Sequence, residues 1–196
     1  QSEGINEKDI NLAISKNLGE LLRKLGIEVS FTREIDQYVS LSDRANLVNR
    51  KKPDLFISIH ANHSQNPAAK GFEVWCPKGG EAECLRLAGL ILKALAAKIP
   101  SSNRGIKSDK SLYVLKNTRG PRVLAEIGFV SNPGDRKNLT DPKMQQRYAT
   151  AIAKGIKDFR DRKLSKKKMV ALREITPLRK KQKKLRQRIR CFERHA

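Results

Sequence analysis

The sequence predicts an α/β fold: a twisted, mostly parallel sheet of about five strands, flanked by helices on both faces. Two observations lead there. Helical and strand-like periodicities interleave along the whole chain, and the central strands read as near-continuous apolar runs, as strands covered on both faces by helices must. A length of 196 residues suits one domain with a substantial core plus an appendage.

Asn6 stands where a helix cap belongs. Behind it Ile10, Ile14, Leu18, Leu21 and Leu25 recur at three or four positions, with Asp9 in the first turn and Gly26 as the stop. Ile27 to Phe31 alternates as a strand should. Ser40-Leu-Ser-Asp43 opens a shorter helix that ends before Pro53, and Asp54 to His60 is the next strand. Gly71 to Cys76 reads as a strand, and Glu81 to Lys98 as a helix with Leu85, Ala88, Leu92 and Leu95 inward. Ser111 to Leu115 and Arg122 to Phe129 read as two more strands. Asp141-Pro142 then starts a helix with Met144, Tyr148, Ile152, Ile156 and Phe159 on one side.

Charge divides the chain near Asp161. Residues 162–196 hold 15 Lys/Arg against 2 Asp/Glu, and residues 1–161 hold 27 against 18. The basic tail is expected to be helical or disordered, and to attract anionic polymers or membrane if it binds anything. Only Phe192 lies in its most basic stretch, so base stacking on a nucleic acid is unsupported. Cys76, Cys84 and Cys191 have neither zinc-ribbon spacing nor the density of a disulfide scaffold, and read as free thiols. No apolar run reaches the length of a membrane span. The chain opens on Gln-Ser-Glu-Gly, so a signal peptide would have to lie upstream.

Chemistry gathers at three residues. In Leu55-Phe-Ile-Ser-Ile-His60, alternation puts Phe56, Ser58 and His60 on one face, and His60 is expected to leave the sheet toward the following loop, where α/β folds place their sites. Alone, such a histidine suits a hydrogen-bonded structural role as well as a metal ligand. Glu126 is the one carboxylate in Val123-Leu-Ala-Glu-Ile-Gly-Phe129, and a buried charge needs a partner. That partner is either an arginine, with Arg33, Arg119 and Arg122 as candidates, or a water that Glu126 deprotonates beside a metal. Glu7, in a first helical turn, is favourable to the helix dipole without further duty. Together the three supply the nitrogen and oxygen donors and the general base of a hydrolytic zinc site.

Five segments in order, Glu7-Lys-Asp-Ile-Asn-Leu12, Thr32-Arg33, Leu55 to Asn62, Gly71-Phe-Glu-Val74 and Ala125 to Asn132, resemble the zinc-dependent N-acetylmuramoyl-L-alanine amidases. The resemblance covers residues 4 to about 160. It implies hydrolysis of the amide between N-acetylmuramic acid and L-alanine of peptidoglycan, in the bacterial cell envelope, with one zinc ion as the only cofactor and a monomeric enzyme. It implies Glu7 and His60 as zinc ligands and Glu126 as the catalytic glutamate. Members of the family open with a strand ending in His-Gly-Gly, which supplies another ligand. The sequence starts after that point, and His63 and His195 match no ligand position, so weak zinc binding and slow cleavage are expected. No inhibitory helix is expected between Val74 and Leu112. The competing expectation is a non-catalytic, basic glycan- or nucleic-acid-binding protein on the same fold, against which the retained Glu126 argues.

Overall fold

The computed structural model describes residues 6–165. The basic tail from residue 166, with Cys191 and His195, lies outside the described residues. The described residues up to 159 form one compact unit, and residues 160–165, which are helical, belong to a second.

In the first unit the chain runs α1 (Glu7–Lys24), α2 (Leu41–Lys51), β1 (Phe56–Asn62), β2 (Phe72–Pro77), α3 (Ala82–Ala96), β3 (Asn103–Asp109), α4 (Tyr113–Lys116), β4 (Arg122–Phe129) and α5 (Pro133–Thr140), followed by a helix α6 over residues 142–159. The sheet has four strands among the described residues, in the order β1-β4-β2-β3. The β1–β4 and β2–β3 ladders are parallel and β2–β4 is antiparallel, so the sheet is mixed.

Each face of the sheet has its own core. Ile59, Ala61, Phe72, Val74, Cys76, Val123, Ala125 and Ile127 turn toward the apolar sides of α1, α3 and α6. On the opposite face Leu124, with Phe56 and Trp75, packs against Leu112, Val114 and Leu115 around α4, and α2 lies against α4. Only part of this second face is apolar. The remainder carries the polar side chains described below.

Several elements differ from their expected form. Residues 27–31 are extended but join no ladder among the described residues; Ile27 and Val29 pack on the main core, and the Phe31 ring lies against Gly19 of α1. Residues 111–115 lead into the short helix α4, because apolar spacing over five residues does not separate a strand from a helical turn. Strand β3 was hidden by its composition: as an edge strand it is polar, with Ile106 its one large apolar residue. Helix α5 begins on Asn132-Pro133, where Asn132 Oδ1 accepts from Asp135 N, the same kind of start signal as Asp141-Pro142. In α3 the buried stripe is Cys84, Leu87, Ala88, Ile91, Leu92 and Leu95, and Leu85 is 41% exposed. Asn6 precedes α1 without a capping bond from its side chain, whereas Ser40 caps α2 by accepting from Asp43 N. Between Val74 and Leu112 lie the end of β2, α3 and β3.

Candidate active site

Parallel pairing of β1 with β4 sets His60 beside Glu126, and antiparallel pairing of β4 with β2 sets Glu126 beside Glu73. Strand side chains alternate, so the three share the face opposite the main core. They form a row across three strands. His60 therefore does not leave the sheet as expected: β1 continues to Asn62, and the residue faces its neighbours from within the ladder.

At one end of the row, the first turn of α1 brings Glu7 to His60. His60 Nδ1 lies 3.0 Å from Glu7 Oε1, which also accepts from Asn11 Nδ2 and from the Ala61 amide. On the other side of the ring, Nε2 lies 2.9 Å from Ser58 Oγ. Burial acts to raise the Glu7 carboxyl, but the hydrogen bonds from His60 and Asn11, with the His60 charge and the Ala61 amide, hold it below its ordinary value.

Glu126 occupies the centre and is held differently. Its Oε2 is buried without a hydrogen-bond partner. The arginines considered as partners are engaged elsewhere or do not reach it: Arg33 donates to the Lys8 and Ile35 carbonyls, and Arg122 to Glu81, Leu115 O and Gly120 O. No bond joins Arg119 to it. Burial pushes the Glu126 carboxyl up to about 7; the His60 charge opposes that shift and the Glu7 and Glu73 charges add to it. A structural ion pair is thus replaced by an unsatisfied carboxylate facing an imidazole and a second carboxylate.

Beyond Glu126, Glu73 is 3% exposed and fully engaged. Its Oε2 accepts from Arg104 Nε at 2.8 Å, and its Oε1 from Trp75 Nε1 at 3.1 Å and Asn62 Nδ2 at 3.4 Å. Glu73 and Arg104 were not singled out in the sequence. A carboxylate between Phe72 and Val74 carries the same signal that marks Glu126, whereas Arg104 stands in a polar edge strand whose composition carries no strand signal.

The row suits a divalent cation in one respect and leaves it incomplete in another. Glu7 and His60 share a contact that a cation could bridge, and the orphaned Oε2 of Glu126 lies beside it, a mixed nitrogen and oxygen set of the kind zinc takes. Among the described residues no group of three His, Cys, Asp or Glu side chains is gathered closely enough to hold a metal alone.

The family model for N-acetylmuramoyl-L-alanine amidases matches residues 1–158. The chain belongs to that amidase family. The amidase is 35% identical over 159 residues to the uncharacterized protein YqiI of Bacillus subtilis, spanning 81% of this chain and 76% of YqiI. It is 33% identical over 153 residues to the N-acetylmuramoyl-L-alanine amidase LytC of the same organism, where the match takes in 78% of this chain but 31% of LytC. Among solved structures, the catalytic domain of CwlV, an amidase from Bacillus (Paenibacillus) polymyxa var. colistinus, superposes with a TM-score of 0.76 at 31% identity, over 82% of this chain and 88% of CwlV. The mixed α/β architecture of this amidase is that of the family's catalytic domains.

One consequence of the Glu126 environment is measurable without substrate. A carboxyl whose pKa rises on folding, from about 4.5 to about 7, favours the folded state below pH 4.5 and loses that contribution as pH rises through 7. Urea unfolding of the metal-free protein at pH 5 and pH 8 should show the wild type losing on the order of 2–3 kcal/mol relative to Glu126→Gln across that interval. Parallel pH profiles for the two proteins would contradict this reading of Glu126.

Proposed function

We propose that the protein hydrolyses the amide between the lactyl group of N-acetylmuramic acid and L-alanine in peptidoglycan, acting in the bacterial cell envelope, with Glu126 as general base and Glu7 and His60 as two ligands of one zinc ion. The observation that carries the proposal is the row itself: an unpartnered, raised carboxylate beside an imidazole already touching a second carboxylate.

When bound, zinc supplies a Lewis acid that polarises the amide carbonyl and acidifies water. The chain does the rest. Ser58 Oγ at Nε2 fixes the plane of the His60 ring, which leaves Nδ1, beside Glu7 Oε1, as the nitrogen that would take the ion. Glu126 Oε2, with no hydrogen bond to give up, accepts a proton from the attacking water and passes it to the departing alanine amine. A pKa of about 7 suits both halves of that task at neutral pH. Glu73 stays out of the transfer, since its two oxygens are held by Arg104, Trp75 and Asn62.

The deciding experiment supplies zinc and purified peptidoglycan and measures two products. Free α-amino groups of L-alanine should accumulate without new reducing sugar ends. His60→Ala should weaken zinc binding in titration calorimetry by at least about tenfold, the loss that follows even when only a supporting partner of a ligand is removed. New reducing ends, or full zinc affinity in His60→Ala, would overturn the assignment.

A further inference from the structure

We propose that Arg104 binds a free carboxylate of the peptide stem, one residue beyond the amide to be cleaved, and so makes the protein select stems that carry that negative charge. The proposal deepens the amidase reading above and rests on it for the identity of the ligand.

Three observations hold the Arg104 guanidinium in a fixed attitude over the site's face. Its Nε donates to Glu73 Oε2 at 2.8 Å, and Glu73 is itself buried and tied to Trp75 and Asn62. Its Cζ lies 5.1 Å from the centroid of the Phe129 ring, a cation–π contact. Phe129 is available there because of a bulge in β4. His60 pairs with Glu126 but Asn62 pairs with Phe129, so two steps along β1 match three along β4. The extra residue brings Phe129 into line with Asn62 and out of the alternation that sends Val123, Ala125 and Ile127 to the main core.

Held at Nε and on one flat side, the guanidinium keeps its outer edge of N–H groups. No hydrogen bond to that edge is formed among the described residues, and the Arg104 side chain is 39% exposed. Two parallel N–H groups on a rigid plane match the two oxygens of a carboxylate or a phosphate, and of these a peptide stem carries the carboxylate. The bond to Glu73 uses Nε alone, so neutralising that buried carboxylate leaves the outer edge of the guanidinium unspent. Arg104 leans from β3 across β2 toward β4, and strands are ~4.8 Å apart, which puts its edge within about 10 Å of Glu126. A stem carboxylate one extended residue past the cleaved amide falls within that span.

The test measures binding of two synthetic probes to the metal-free protein: N-acetylmuramoyl-L-alanyl-D-glutamate with its γ-carboxyl blocked as the methylamide and its α-carboxylate free, and the same compound with the α-carboxylate also as the amide. The wild type should bind the free acid about tenfold more tightly, as a charge-assisted hydrogen-bond pair provides. Arg104→Met should bind the two probes equally, and Arg104→Lys should keep part of the preference. Phe129→Leu, which leaves the arginine and the Glu73 bond in place, should reduce the preference without abolishing it. An undiminished preference in Arg104→Met, or a wild type that discriminates less than twofold or binds neither probe, would overturn the proposal. Zinc-loaded hydrolysis of the free acid is scored separately. Selective binding without cleavage would remove the amidase reading and leave the carboxylate site, whereas cleavage of both probes at equal affinity would remove the site alone.

Discussion

Replacing Glu126 with glutamine should lower the rate of amide hydrolysis by about 10²–10⁴-fold, the range that a positioned general base contributes, while leaving zinc content unchanged. Glutamine fills the same space and adds no charge to a position whose carboxylate has no hydrogen-bond partner to lose. What disappears is the ability to accept a proton at Oε2. The drop should fall on kcat, because the substrate is bound by other groups. Glu126→Asp keeps a carboxylate but withdraws it by one methylene, and should retain a small fraction of the wild-type rate. Steady-state release of L-alanine and zinc analysis of the same samples measure both quantities. Activity within threefold of wild type in Glu126→Gln would remove Glu126 from the chemistry.

The largest effect on folding should come from a residue outside the row. Asp135, 3% exposed in α5, ties three segments together: its Oδ2 accepts from the amides of Gly71 at 2.7 Å and Phe129 at 3.0 Å, and its Oδ1 from the Ser101 hydroxyl at 2.6 Å. These are the entry to β2, the end of β4 and the approach to β3. Gly71 has φ +109 there, and a side chain on it would meet Ser102 O, so the backbone has little room to find other partners. Asp135→Ala strands two buried N–H groups at about 1–3 kcal/mol each, besides the serine, and should reduce stability by about 3–5 kcal/mol in urea unfolding. Asp135→Asn, which keeps an acceptor oxygen, should fall between. A loss under about 1 kcal/mol for the alanine variant would mean that water or a shifted loop replaces these bonds.

What the sequence could show follows from how strong each local signal is. Helices α1, α3 and α6 were legible because their apolar spacing runs for four turns or more, and the two central strands because both their faces are covered. Glu126 was legible as a charge among apolar residues. Its neighbours were not, because the pairing of β4 between β1 and β2 is a property of topology, and no local pattern reports which strands meet. The same limit hid Arg104 on a polar edge strand, and the bulge that realigns Phe129. The family resemblance named Glu7 and His60; the structure adds that they touch, and that Ser58 holds the far side of the imidazole ring.

The strand order has a consequence in time. Among the described strands β4 comes last in the chain, yet it lies between β1 and β2, which come before the others. Until residues 122–129 are available, β1 and β2 share no partner among the described strands, and of these β2 can pair only with β3. Closure of the sheet must bring together residues more than sixty positions apart, which makes it a slow step next to helix formation. That one insertion also carries Glu126 into place between His60 and Glu73. A nascent chain therefore lacks the row of His60, Glu126 and Glu73 until β4 is in place, and the candidate site forms in the same event that joins the described strands into one sheet.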